Sequence, residues 1–202
     1  MNYFLRVFSY IFHPLFMPLL GTVIYFEITP KFIPDSFLYA KLMAITILTV
    51  VVPILFYFML RNLGRIDNIF IDNVQQRRVP LLFQIVLTGL VLIIVVKGYE
   101  FPELYYFFLG ILSSAAIAFV AAALKYKMSL HMIGITGVLF FVIGLSIFYN
   151  SNLLTVIALL CFAVGAVASS RLQENAHSMT ELCAGFLAGG LPQLGILLFF
   201  SM

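Results

Sequence analysis

The chain has 202 residues and a formal net charge of +3, with 63% apolar residue types and only 9% Asp, Glu, Lys and Arg. A soluble domain carries about 25% charged residues, so the composition excludes a water-soluble globule, a disordered chain, a collagen-like chain and a basic nucleic-acid-binding domain. Cys161 and Cys183 both lie in apolar runs and outline no disulfide framework. Most of the chain is therefore expected to lie in lipid.

Seven apolar stretches are predicted to cross the membrane. A span needs about 20 mostly apolar residues, and it must be helical because its backbone amides find hydrogen-bond partners only within the segment. The third, fifth and sixth stretches are short and are expected to extend into the polar residues beside them. In chain order the stretches cover residues 8–25, 38–60, 81–96, 104–124, 133–148, 153–168 and 182–200.

The first stretch is interpreted as a helix of the mature protein. It contains Pro14 and Pro18 and lacks the small-residue cleavage site of a signal peptide. The sequence contains no internal repeat and no stretch typical of a soluble domain. The predicted fold class is therefore all-α, with residues 1–202 forming one transmembrane domain, a polytopic helix bundle of six or seven spans.

The connections divide the polar residues between two sides of the membrane. One side, here the odd-loop side, has the first, third and fifth connections; the even-loop side has the N-terminus and the other three. Of the eleven Lys and Arg residues, eight lie on the even-loop side and three on the odd-loop side. The positive-inside rule would place the even-loop side in the cytoplasm. If four cations of that side serve a ligand, however, four cations on one side and three on the other remain, and this difference does not assign the cytoplasmic side. The odd connections are residues 28–37, 97–103 and 149–152, and the even ones are residues 61–80, 125–132 and 169–181.

Three polar clusters lie on the even-loop side, each at a predicted helix end. The first cluster is residues 72–80, the second is residues 127–131, and the third is residues 170–181. They contain two of the three histidines of the chain and several of its cations. Because their connections share a side, we expect the clusters to meet at one face of the bundle. Cations, two imidazoles and an orienting carboxylate suffice to bind and cleave a phosphate ester without a metal.

The third cluster has the strongest chemical pattern. His177 and Glu181 are four residues apart and share one face if the segment is helical. A carboxylate beside an imidazole fixes its tautomer and leaves the other ring nitrogen available as a nucleophile. Arg171 offers a planar fork suited to phosphate oxygens. A solvated interfacial loop would contain similar residues, so the cluster taken alone leaves both interpretations open.

The other two clusters are weaker signals. In the second, Lys127 and Ser129 precede a helix start, where free amides favour an anion, and His131 could protonate a leaving oxygen. A snorkelling lysine and a histidine at headgroup level explain the same residues. In the first, Arg77 and Arg78 lie beside a span, where arginines are common topology signals.

In order and spacing these residues resemble the type-2 phosphatidic acid phosphatase family of integral-membrane lipid phosphatases. Its motifs are K-x6-R-P, P-S-G-H and S-R-x5-H-x3-D. The third is matched from Ser170 to His177 and ends with Glu181 in place of Asp. The second is matched at Ser129 and His131, with Met and Leu where the family has Pro and Gly.

The first motif is matched in degenerate form. Arg77 or Arg78 would be its arginine, but Val79 separates Arg78 from Pro80, and no lysine lies six residues before. We expect Lys127 to replace that lysine. The matched motifs span about half of the chain, and the phosphatase-like core would run from about residue 61 to residue 200.

The resemblance implies a role for each matched residue. His177 would be the nucleophile that forms a phosphohistidine, Glu181 would orient it, and His131 would protonate the leaving lipid oxygen. The side chains that would bind the phosphoryl oxygens are Arg171, Ser129, Ser170, Lys127 and Arg77 or Arg78.

The resemblance also implies an enzyme, a hydrolase of a lipid phosphomonoester or diphosphate that uses no cofactor and no metal. Its partners would be the bilayer and a membrane lipid phosphate, with no nucleic acid, and a homo-oligomer is left open. It would be an integral protein of a bacterial inner (cytoplasmic) membrane.

Two other functions are compatible with the sequence. A non-catalytic relative that binds or moves anionic lipids is favoured by the altered motifs, whereas retention of both histidines favours the enzyme. Asn68 and Asp72 have the N-x3-D spacing with which prenyltransferases hold magnesium, but no second Asp-rich motif follows.

Two further features of the sequence lie outside the predicted site. His13 lies inside the first predicted span, where an ionisable group is a functional candidate, but it is equally explained as a neutral, satisfied side chain and is not included. Gly185, Gly189 and Gly190 predict close helix packing in the last span.

Overall fold

A computed structural model of the chain describes residues 3–65 and 74–200, with side chains described for residues 6–65 and 74–196. All regular secondary structure in these ranges is helical, which confirms the all-α fold class. Two short 3₁₀ turns, Pro14–Phe16 and Val74–Arg77, precede α2 and α5, and two π-helical turns, Ile47–Val51 and Val91–Val95, follow α3 and α5. The helices are α1 (Tyr3–Ile11), α2 (Met17–Ile28), α3 (Asp35–Thr46), α4 (Val52–Asn62), α5 (Arg78–Leu90), α6 (Pro102–Ala123), α7 (Leu130–Phe148), α8 (Leu154–Gln173) and α9 (Met179–Phe200).

Five helical segments in the described residues are long and apolar enough to cross a membrane, which agrees with an integral membrane protein. The predicted extension of the third, fifth and sixth spans into the neighbouring polar stretches is confirmed. The third begins at Val74, the fifth begins at Leu130, and the sixth continues to Gln173. The five segments are Asp35–Asn62, Val74–Val95, Pro102–Ala123, Leu130–Phe148 and Leu154–Gln173. Helix α9 has 22 residues and a similarly apolar sequence.

The prediction of one continuous helix over residues 8–25 is wrong. Helix α1 ends at Ile11, and the chain turns through Pro14–Phe16 before α2 begins. His13 is extended, with φ −64° and ψ 137°. A proline lacks the amide hydrogen for a helical bond and disfavours α-helical geometry in the residue before it. Pro14 therefore breaks the first span at His13.

Helix α7 lies at the centre of the bundle, where it packs against α2, α6, α8 and α9. Its contact with α9 depends on small residues. A side chain at Gly185 would bring a Cβ within 2.7 Å of the Ser129 carbonyl oxygen, and one at Gly189 would collide with the backbone at Ile133. The predicted close packing of these glycines is thus confirmed. It holds the N-terminal ends of α7 and α9 side by side, and these ends carry the second and third clusters.

Candidate functional site

A cavity of about 480 Å³ lies between α4, α5, α6, α7, α9 and the break at His13. All three clusters contribute to its wall: Arg77 from the first, His131 from the second, and Arg171 with His177 from the third. Most of the remaining wall is apolar, and the imidazoles of His131 and His177 are close enough to act on each other electrostatically. The expected convergence of the clusters is what the structure shows. A polar end joined to apolar walls suits an amphiphilic ligand with an anionic headgroup.

His177 and Glu181 form the best-defined pair in the cavity. The His177 Nδ1 and the Glu181 Oε2 are 2.9 Å apart. A carboxylate only accepts hydrogen bonds when it is ionised, so the ring proton lies on Nδ1 and Nε2 keeps its lone pair. The His177 side chain is only 5% exposed.

Glu181 has a second, structural contact. Its Oε2 accepts the backbone N–H of Ser178 at 3.1 Å, while the Ser178 hydroxyl accepts the N–H of Glu181 at 3.4 Å. This reciprocal arrangement is a capping box at the start of α9. The helix start therefore fixes the carboxylate, and the carboxylate fixes the imidazole.

The electrostatic surroundings of His177 keep its imidazole neutral. Burial lowers the pKa of His177 to about 4, and the hydrogen bond that its Nδ1 donates to Glu181 opposes this shift. The positive charges of Arg77 and Lys127 add to the lowering. Because this pKa lies well below neutrality, the neutral imidazole predominates at neutral pH. The neutral form is also the one with a nucleophilic lone pair.

Arg171 belongs to a small ion-pair network. Its buried guanidinium pairs with Glu174, and the same carboxylate binds the Nε of Arg6 at 3.3 Å. Two cations thus share one carboxylate, and α1 is tied to the end of α8. Glu174 and Arg6 are not among the predicted site residues, because no local pattern indicates an ion pair between residues 168 positions apart.

His131 is fixed by the backbone of α1. Its Nε2 lies 3.1 Å from the carbonyl oxygen of Ser9, which can only accept, so Nε2 carries the proton. The ring also meets that of His13 edge to face, with centroids 5.2 Å apart. In the neutral ring Nδ1 is then unprotonated. His131 can donate a proton to a substrate only after it gains a second one.

Several residues predicted to bind phosphate have other partners and are absent from the cavity wall. Ser129 is fully buried and caps α7, where its hydroxyl accepts the N–H of Met132. The Ser170 hydroxyl accepts a hydrogen bond of 2.8 Å from the Ser9 hydroxyl. Arg78 donates to carbonyls at the end of α6, those of Ala122 and Ala123.

Arg77 and Lys127 lie close enough to His177 for their charges to act on its imidazole. Arg77 lines the cavity and its Nη1 donates to the carbonyl of Met128 at 3.1 Å. Lys127 is half-buried beside the cavity, and its charge reaches His177. Their positions agree with an anion-binding role for either side chain.

The described residues contain no group of three or more His, Cys, Asp or Glu side chains that could hold a metal ion. Asn68 and Asp72, which the prenyltransferase alternative requires, lie outside the described part of the chain.

His13 is a cavity residue that the sequence analysis set aside. Its signal was present in the sequence as an ionisable residue directly before a proline within an apolar stretch. Interpreted as a helix break, that dipeptide would have predicted a side chain released from helical packing.

No protein-family model, no curated protein and no solved structure matches this chain.

Proposed function

We propose that the protein is a membrane lipid phosphatase that hydrolyses a lipid phosphomonoester or diphosphate through a phosphohistidine at His177, without a metal. One observation supports this most directly. The neutral imidazole of His177, oriented by Glu181, lines the same cavity as two arginines and the imidazole of His131. Binding alone would require cations but no oriented nucleophile.

In the first step, the Nε2 of His177 attacks the terminal phosphorus, and the bond from that phosphorus to the leaving oxygen breaks. The leaving oxygen is the lipid oxygen of a monoester or the bridging oxygen of a diphosphate. The leaving oxygen takes a proton, which His131 would supply after its Nδ1 accepts it from a phosphate group that enters as the monoanion. Glu181 stabilises the positive charge that forms on the His177 ring. In the second step, water attacks the phosphohistidine, gives a proton to His131 and releases inorganic phosphate with a free His177.

The cations would stabilise the charge on the phosphoryl oxygens in both transition states. Arg77 and Arg171 line the cavity, and Lys127 lies beside it. Preorganised cations in a site with little water are worth much more than in solution. Phe56, Phe83 and other apolar residues of the wall would contact the acyl or prenyl chain. We place the protein in a bacterial inner membrane.

A second function has its own support. Ser129 and Ser170 hold hydrogen bonds within the protein, and Glu174 already pairs with Arg171. This is compatible with a non-catalytic protein that binds or moves anionic lipids.

A phosphate-release screen with purified protein distinguishes the two. The substrates are phosphatidic acid, phosphatidylglycerol phosphate, a polyprenyl diphosphate and a phosphorylated glycolipid in mixed micelles. We expect release from at least one of them, unaffected by EDTA and inhibited by vanadate, a mimic of the trigonal-bipyramidal phosphoryl group. His177→Ala should lower release by more than about a thousandfold while the protein still folds.

Acid-labile radiolabelled phosphate on the wild type, absent from His177→Ala, would identify the intermediate. Full turnover in His177→Ala would remove the nucleophile from the proposal. Lipid binding without turnover of any of these substrates would favour the non-catalytic function. A strict requirement of the activity for magnesium would favour the prenyltransferase.

A further inference from the structure

The break in the first span leaves one imidazole with an unused hydrogen-bond donor. His13 is extended, and the backbone N–H of Leu15 lies 3.3 Å from its Nδ1. A backbone N–H can only donate, so Nδ1 is the acceptor. The neutral ring of His13 must therefore carry its proton on Nε2.

That Nε2–H has no hydrogen-bond partner among the described residues. His13 is half-buried, and its side chain is part of the cavity wall together with Arg77, Arg171 and His177. A polar hydrogen on a mostly apolar wall favours an acceptor that enters the cavity.

The neighbouring imidazole has no such donor. The ring of His131 lies edge to face against that of His13, but the Nε2 of His131 is 3.1 Å from the Ser9 carbonyl oxygen. Of these two packed histidines, only His13 has a ring N–H that remains available to a ligand.

The chemistry of the wall indicates which acceptor would bind there. The charge of Arg171 acts on the His13 ring, so the two groups are near each other. Another cation at this position would be repelled by Arg171, whereas a neutral N–H adds a hydrogen bond without that repulsion. An anionic oxygen is attracted by the arginines and accepts from the imidazole at once.

We propose that His13 binds a phosphoryl oxygen of the lipid substrate through its Nε2–H. This inference rests on the proposed function and adds a residue to its site that the motif resemblance does not assign. Pro14 serves the same end, because the break that it causes holds the imidazole at the cavity wall rather than within a helix.

The test compares two variants that separate the donor from the ring. His13→Gln retains an N–H near the position of Nε2 and has no ring, whereas His13→Phe retains a ring against His131 and has no donor. The matched control is Ile11→Ala, an exposed residue near the break. Binding of orthovanadate to full-length protein in nanodiscs is followed by vanadium NMR, and the KM and kcat for the best lipid phosphate are measured in parallel.

We expect His13→Phe to bind orthovanadate about tenfold more weakly and to raise KM by a similar factor, as for loss of a hydrogen bond to a charged group. His13→Gln should stay within about threefold of the wild type, and Ile11→Ala should match it. If His13→Phe fails to fold, the Gln variant is compared with His13→Ala.

Three results would overturn or separate the proposals. Wild-type vanadate affinity in His13→Phe, with turnover still dependent on His177, would overturn the inference and leave the phosphatase intact. Equal losses in the Gln and Phe variants would assign His13 a structural role. Weakened vanadate binding in His13→Phe, in a protein that hydrolyses no lipid phosphate, would reject the phosphatase and retain an anion site at His13.

Discussion

The two ends of the bundle hold their cations in different ways. At the odd-loop end Lys31 and Lys41 pair with carboxylates. The Nζ of Lys31 is 3.1 Å from Glu103, which also accepts the hydroxyl of the fully buried Tyr25, and the Nζ of Lys41 is 3.0 Å from Glu100. Each of these two pairs joins a helix and a loop at this end.

At the even-loop end, four arginines contact backbone carbonyls or a shared carboxylate. Arg77 and Arg78 donate to backbone carbonyls at helix ends, and one carboxylate, Glu174, serves both Arg6 and Arg171. Similar cations therefore have different partners at the two ends. Ion pairs between a helix and a loop stabilise the odd-loop end, whereas at the even-loop end arginines beside a cavity contact backbone carbonyls or share one carboxylate.

The largest difference between the ends is expected on removal of one cation from each. Arg77→Gln should lower kcat/KM by about a hundredfold or more, because a donor to the transition-state oxygens is lost. Lys31→Gln removes an exposed cation of an ion pair at the opposite end, and turnover should stay within about twofold of the wild type. Phosphate release from the best lipid substrate measures the activity of both variants, and equal losses of activity would contradict a difference between the two ends.

Within the even-loop end, the double role of Glu181 can be separated. Glu181→Gln retains a carbonyl acceptor for the cap of α9 but loses the charge that polarises His177, so kcat should fall by about a hundredfold with little change in thermal stability. Ser178→Ala removes the other half of the capping box and should cost about 1 kcal/mol of stability with kcat retained. A normal kcat in Glu181→Gln would make the carboxylate a helix cap only.

The pH dependence of turnover tests the cationic surroundings of His177. With a pKa of about 4, this imidazole becomes neutral as the pH rises above that value, so its protonation should limit kcat/KM only at acid pH. Lys127→Ala removes a charge that lowers the pKa, so the acid limb should move to higher pH. The same variant should raise KM several-fold. An unmoved limb and an unchanged KM would deny Lys127 any role near the substrate.

The smallest effect on activity is expected at the odd-loop end. Tyr25→Phe removes the hydrogen bond of 2.9 Å between the buried hydroxyl and Glu103. It should lower the free energy of unfolding by about 1.5–3 kcal/mol, as for a bond to a charged acceptor, without altering phosphate release. Denaturant unfolding in micelles measures the loss. A matching loss of turnover in the folded protein would show that the two ends are not independent.

How far the sequence predicted the site depends on the range of each interaction. The His177–Glu181 pair is local, since four residues separate its members and one helix start holds both. Ser129 and Ser170 are predicted to bind phosphate, but in the fold each hydroxyl has a hydrogen-bond partner within the protein. The hydroxyl of Ser170 meets Ser9, which is 161 residues away.

The sequence by itself determined that the chain is helical and lies in lipid, because apolar composition and the hydrogen-bonding needs of a backbone in hydrocarbon are properties of each segment alone. It also determined the break at Pro14, because a proline lacks the amide hydrogen that a continuous helix needs. Only the tertiary structure decided which side chains face the cavity and which are held elsewhere. Those outcomes depend on long-range packing, such as α1 against the end of α8 and His13 against His131, and no local pattern encodes it.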